Sequence, residues 1–148
     1  MKAISLIQPW ASALFIRRPD GKVLKGIETR SWKLPERTRL PLRVAVHASK
    51  GMPGWAKDFA QCEFCRKTSI PPIKELPFGS IIGYITIMGF RMTEDLDPQI
   101  DEVEQNYGDY SAGRWGWMLC DPVLLDKPIP CKGSLGLWEV PAELGLRG

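Results

Sequence analysis

Apolar and polar residues along this chain change places over short distances, and few stretches hold one period for long. Ala3 to Ile7 is a brief apolar run with the composition of a buried strand; Gln8-Pro9 ends it and starts a helix, since proline suits the first helical position. Trp10, Ala13 and Leu14 then recur at helical spacing, and the turn signal Pro19-Asp20-Gly21 places the end of that helix near Arg17. From Ile27 to Lys33 the character alternates, so Glu28, Arg30 and Trp32 share one strand face while Ile27, Thr29 and Ser31 share the other. Leu42 to Ala48 reads as a further strand, with Leu42, Val44, Val46 and Ala48 on one side and Arg43, Ala45 and His47 on the other.

Pro53 opens a second helix in which Trp55, Phe59 and Cys62 form an apolar stripe, and Pro71-Pro72 and Pro77 enforce a loop after it. Ser80 to Phe90 carries the strongest strand signal, with Gly83 and Gly89 marking bends or bulges, and is expected at the centre of a curved sheet. Asp97-Pro98 begins a short acidic helix with Ile100, Val103 and Tyr107 on its buried side, ended by Gly108. Trp115–Leu119, Val123–Leu125 and Leu137–Val140 complete the strands. About seven strands and about three short helices predict one α+β domain over residues 1–148 whose sheet closes on itself, since closure removes exposed edges.

Composition narrows the class. With 148 residues, 44% hydrophobic and 25% charged, the chain has enough material for a self-sufficient core, and its 14 Gly and 13 Pro disfavour a helical bundle. The apolar N-terminal stretch is interrupted by Gln8-Pro9, and no other run approaches a bilayer span, so a soluble, cytoplasmic protein without membrane partners is expected. Four cysteines are too sparse for a disulfide scaffold. Cys62-Glu63-Phe64-Cys65 has the spacing of half a zinc site, but Cys120 and Cys131 are poorly placed to complete it, so no metal and no cofactor is expected. The net charge of +3 hides an asymmetry: residues 1–74 hold fifteen Lys/Arg against five Asp/Glu, and residues 75–148 hold five against twelve. Either the halves neutralise each other or the fold gathers cations onto a face that attracts an anion such as a nucleic-acid backbone. The carboxylates from Glu94 to Glu104 suit a solvated face better than a hydrolase centre.

Four segments occur in order: Ile4-Ser5-Leu6-Ile7-Gln8-Pro9-Trp10-Ala11-Ser12, Lys25-Gly26-Ile27-Glu28-Thr29-Arg30-Ser31-Trp32, Val46-His47-Ala48-Ser49-Lys50 and Lys132-Gly133-Ser134-Leu135-Gly136-Leu137-Trp138. Together they resemble the ASCH family, the activating-signal-cointegrator homology domains, over Ile4 to about Val140. The resemblance implies a PUA-like β-barrel, closed or partly open, of about six to seven strands, with a cleft that accepts RNA, single-stranded nucleic acid or a nucleotide-like ligand. The residue types suit that ligand. Arg30 offers a planar fork for phosphate, while Lys25, Lys50 and Lys132 are compact charges for phosphate oxygens. Trp10, Trp32 and Trp115 supply stacking planes, and Gln8, Glu28, Ser49 and Ser134 supply hydrogen-bonding groups. Most of the six tryptophans, Trp10, Trp55, Trp117 and Trp138 among them, are also needed for the core, and Glu28 and Arg30 can equally form a structural ion pair.

The family also includes hydrolases. An amidohydrolase branch acting on N4-acylated cytidine resembles this chain at Lys25, but where that branch has a threonine this chain has Glu28, with Thr29 on the opposite strand face; Glu28 would then serve as base and Lys25 as acid. Metal-independent cleavage of RNA would instead use His47, Lys50 and Ser134. A third class, a transcription-related adaptor with a protein partner, would dock on the acidic segment near Ile100.

Overall fold

The computed structural model describes residues 1–148. Six strands form one mixed sheet: β1 (Lys2–Leu6), β2 (Ile27–Arg30), β3 (Leu42–Ala48), β4 (Ser80–Met92), β5 (Trp115–Pro130) and β6 (Leu137–Glu139), in the order β2-β5-β4-β3-β1-β6. The pairs are antiparallel except β1 with β3, which run parallel with Ser5 opposite His47. The two edge strands do not pair, so the sheet is a curled half-barrel rather than a closed one. Its curl is tight enough for Arg30 on edge strand β2 to donate from Nη2 to the Ser5 carbonyl on β1 at 3.0 Å.

β4 occupies the centre, and its register shifts against β5 fall at Ile81/Gly83, Tyr84/Thr86 and Ile87/Gly89, where the two glycines bend it. Gly83 admits no side chain, because a Cβ there would collide with the Val123 carbonyl and the Phe15 ring. β5 is continuous where two strands were expected. Cys120 stands opposite Thr86 and Val123 opposite Tyr84, so Asp121 and Pro122 form a bulge through which pairing resumes, Asp121 adopting φ 50°.

Five short helices lie against the curl: α1 (Trp10–Ala13), α2 (Gly54–Ala60), α3 (Glu63–Lys67), α4 (Thr93–Leu96) and α5 (Glu102–Asn106). The excess over the expected three has two sources: the Pro53 helix is interrupted at Gln61–Cys62, and α4 was not foreseen. The expected acidic helix begins as a 3₁₀ turn at Asp97–Gln99 and becomes helical only in α5, which Asp101 caps by accepting from the Glu104 amide. None of these helices is long and apolar enough to cross a membrane.

Both faces of β3 are covered. Val44, Val46 and Ala48 join Ile4, Leu6, Leu14, Ile82, Ile85, Ile87 and Trp117 in the main core, whereas Ala45 joins Ala3, Ile81, Tyr84, Trp138 and Val140 in a second cluster. A third cluster, built on Ala13, Leu24, Cys65, Ile70 and Tyr107, fastens the helices. Trp55 was expected in the core and is 63% exposed; Ala56 and Ala60, one position further on, are the residues that α2 buries.

Candidate nucleotide-binding cleft

Three hollows of the surface, each of about 610 Å³ or more, are separated by their charge. One of about 770 Å³ sets Arg17, Arg18 and Lys22 against Asp101, Glu104 and Asp121. A second, of about 610 Å³, sets Lys25, Arg30 and Arg114 against Glu28 and Asp109, with Trp10, Trp55, Phe59 and Tyr107 as its apolar wall. The third, of about 960 Å³, is lined by Arg30, Lys50 and Lys132 and by no carboxylate. Ser5, Ile7 and Arg30 belong to both the second and third, which therefore form one cleft with an aromatic half and a basic half.

The basic half is assembled from four places in the chain. Ser5 comes from β1, His47 from the end of β3 with Ser49 and Lys50 just beyond it, Phe78 and Gly79 from the approach to β4, and Lys132 to Gly136 from the connection between β5 and β6. Parallel pairing of β1 with β3 places Ser5 beside His47, and antiparallel pairing of β1 with β6 brings the returning loop over both. Gly133 is obligatory in that loop, since a Cβ there would stand 2.5 Å from His47 Cε1 and 2.8 Å from Ser5 Oγ. None of the backbone N–H groups from Lys132 to Gly136 is used in a hydrogen bond within the chain, which leaves them for an anion.

Arg30 is held on two sides. Its Nε donates to Glu28 Oε2 at 2.9 Å and its Nη2 to the Ser5 carbonyl, and the guanidinium lies 5.7 Å and 5.6 Å from the Trp32 and Trp117 ring centres. Glu28 and Arg30 thus share one face as their alternation predicts, while Thr29 on the other accepts from the Asp109 amide. Burial by itself would raise the Glu28 carboxyl, but Lys25 and Arg30 outweigh it and hold the group below its ordinary value. Lys25 is 2% exposed, and its three ammonium protons are taken by the Ile27 carbonyl, the Tyr107 carbonyl and Glu28 Oε1 at 2.8, 3.0 and 3.1 Å. An ammonium so occupied has no proton left for a ligand.

His47 is also 2% exposed and lies edge-on to Trp138, with both ring nitrogens engaged. It lines the basic half beside Ser5, with Nδ1 at the Ser5 hydroxyl.

Of the residues singled out from sequence, Arg30, His47, Ser49, Lys50, Lys132 and Ser134 converge on the basic half, and Trp10, Lys25 and Glu28 line the aromatic half. Three lie elsewhere. Gln8 is fully buried, donating to the Pro77 carbonyl and accepting from the Ser12 amide, so it serves as a splice in the fold. Trp32 stands edge-on to Trp117, and Trp115 is covered by the Lys33 ammonium 4.6 Å from its ring centre; neither lines the cleft. Sequence reasoning missed Ser5 and Trp55. A hydroxyl in the middle of the apolar run Ala3–Ile7 is the signal for Ser5, because a half-buried hydroxyl in such a strand must find partners. No group of three or more His, Cys, Asp or Glu side chains comes together.

No family model matches the chain. Over 142 residues it is 23% identical to activating signal cointegrator 1 of Homo sapiens, a match covering 95% of this chain and 22% of that protein. Two crystal structures are similar in fold: ASCH from Zymomonas mobilis, with a TM-score of 0.50 and 17% identity over 87% of this chain and 72% of that one, and a mutant of the same protein, with a TM-score of 0.50 and 18% identity over 87% and 74%.

Proposed function

We infer from the likeness in sequence and fold that this chain is an ASCH-type domain of PUA-like architecture, and on that premise we propose that its cleft binds the phosphate and sugar of a nucleotide, free or within single-stranded RNA. The observation that carries this reading is the charge of the basic half, where Arg30, Lys50 and Lys132 face about 960 Å³ of space without one carboxylate among the lining residues. The other two hollows neutralise their cations in place. A hollow of this size falls within the range that encloses small ligands, and unspent loop amides beside lysines are the partners a phosphate takes.

The aromatic half supports the same ligand. Trp10 stacks on Phe59 with ring centres 5.0 Å apart and 4° between planes, and Trp55 tilts against Trp10 at 5.6 Å with most of its own surface open. An exposed indole at the end of an aromatic stack is a platform for a base, worth about 1–3 kcal/mol per stacked base.

The test is fluorescence anisotropy of a labelled single-stranded RNA across a salt titration. Three phosphate contacts give a slope of log K against log[salt] near −2, since each contact on a single strand contributes about −0.7. Lys50→Ala and Lys132→Ala should each make the slope shallower by roughly 0.7. Absence of binding at low salt, or slopes unmoved by both substitutions, would overturn the reading.

A further inference from the structure

Ser5 and His47 form a pair whose proton is directed by the chemistry of their neighbours. The Trp138 indole N–H can only donate, so Ser5 Oγ, 3.1 Å from Nε1, accepts from it. The Cys131 carbonyl can only accept, so the proton of the neutral His47 ring sits on Nε2, 2.6 Å from that oxygen. Nδ1 is then bare, and at 3.1 Å it takes the Ser5 hydroxyl proton. The result is a hydroxyl bonded to an imidazole base whose far nitrogen is fixed by a third group, the geometry of an activated nucleophile. The base is 2% exposed and lines the cleft together with its serine.

The place of Ser5 in the cleft identifies what it would meet. Ser5 lines both halves, so a nucleotide with its phosphate at Lys50 and Lys132 and its base toward Trp10 and Trp55 carries its sugar across Ser5. We infer that Ser5, with His47 as its base, removes an acyl group esterified to a sugar hydroxyl of a nucleotide held in this cleft, an inference that rests on the nucleotide reading above.

In the first step Ser5 Oγ attacks the ester carbonyl carbon as its proton passes to His47 Nδ1. The tetrahedral intermediate collapses by breaking the bond from carbon to the sugar oxygen, which takes the proton from Nδ1 and leaves as the free hydroxyl. Water then attacks the acyl-serine, giving its proton to Nδ1. The carboxylic acid departs and the proton returns to Ser5 Oγ, so the net reaction is ester plus water to acid plus alcohol. The unspent N–H groups of the Gly133 loop, which packs directly on the pair, supply donors for the oxyanion.

The experiment treats the full chain with a fluorophosphonate, maps the adduct by mass spectrometry, and follows hydrolysis of 3′-O-acetyl-AMP by chromatography. Expected are a single adduct at Ser5 that is absent from the urea-unfolded chain and from Ser5→Ala, labelling at least 100-fold slower in His47→Gln, and turnover lost in both variants. Thermal melting of each variant, with Ser31→Ala, an exposed serine that lines neither half of the cleft, as a labelling-competent control, separates lost chemistry from lost folding. Absence of an adduct in the native chain, or one formed equally fast in folded His47→Gln, overturns the nucleophile. Labelling at Ser5 without turnover of the ester overturns the substrate. Labelling that AMP does not protect, together with salt-insensitive RNA binding, removes the nucleotide reading and leaves the nucleophile standing.

Discussion

Removing the Glu28 carboxylate should destabilise the domain more than any other change at the cleft. Lys25 is buried with Glu28 as its one salt-bridge partner, at 3.1 Å, and the same carboxylate accepts from Arg30 Nε at 2.9 Å. Glu28→Ala leaves the ammonium with two carbonyls and no carboxylate in contact, Glu104 acting on it only from further off, and it frees one side of the guanidinium. Breaking a buried pair from one side costs about 3–5 kcal/mol, a large share of the roughly 5–15 kcal/mol that stabilises a domain. At about 2–4 °C per kcal/mol for a chain of this size, the melting temperature should fall by about 6–20 °C. Urea unfolding followed by tryptophan fluorescence at pH 7 measures the loss directly. Acid gives a second reading of the same interaction. The folded-state pKa of Glu28 lies below its ordinary value near 4.5, so its stabilisation is complete above that value and is lost as pH falls through the folded-state pKa. The gap between wild type and Glu28→Ala should therefore close in acid, and adding Lys25→Met at neutral pH should restore part of the loss by removing the stranded charge. A cost below about 1 kcal/mol at pH 7, or a gap that persists undiminished in acid, would refute the reasoning.

Gly83→Ala should lower stability by about 1–3 kcal/mol or more, because the added methyl meets the Val123 carbonyl on the paired strand and the Phe15 ring at 2.7 Å; a melting temperature equal to wild type would contradict the packing of β4 on β5. Burial pushes the Cys65 thiol up to about 12, so iodoacetamide at pH 8 should leave Cys65 unmodified in the native chain and alkylate it in denaturing urea; modification of native Cys65 at the unfolded rate would show that the α3 cluster is open.

Local alternation was the most informative signal in the sequence. It located β3 at Leu42–Ala48, put Glu28 and Arg30 on one face, and identified the bends of β4 at its glycines. The misjudged places share a physical cause, which is that tertiary contacts reassign what a local pattern leaves open. Asp121-Pro122 reads as a break between strands, yet a two-residue bulge lets β5 run on because β4 offers partners on either side. The Trp55, Phe59, Cys62 stripe reads as the buried face of a helix, yet the alanines of α2 are small enough to pack closely and rotate Trp55 outward. In the site, the lysines and Arg30 were recognisable by residue type. Ser5 was not, because its significance depends on His47, Cys131 and Trp138, which lie 42 to 133 positions away.

The charge of the cleft illustrates the same separation between what counting detects and what geometry decides. A basic first half and an acidic second half suggested a positive face built from the first. Much of that excess is consumed where it stands or across the halves, as Lys25 pairs with Glu28, Arg18 with Asp101 and Lys33 with Glu36. Lys132, one of the cations that define the basic half, belongs to the acidic segment of the chain, and Arg30 retains its role there although Glu28 partly neutralises it from behind. What makes this hollow positive is the exclusion of carboxylates from its lining by the way β1, β3 and the β5–β6 loop meet. The +3 net charge could be erased by substitutions on the opposite surface without altering that local field at close range, since exposed charges beyond about 8–10 Å are screened at physiological salt. Affinity for an anion should therefore follow the three lining cations and not the isoelectric point of the chain.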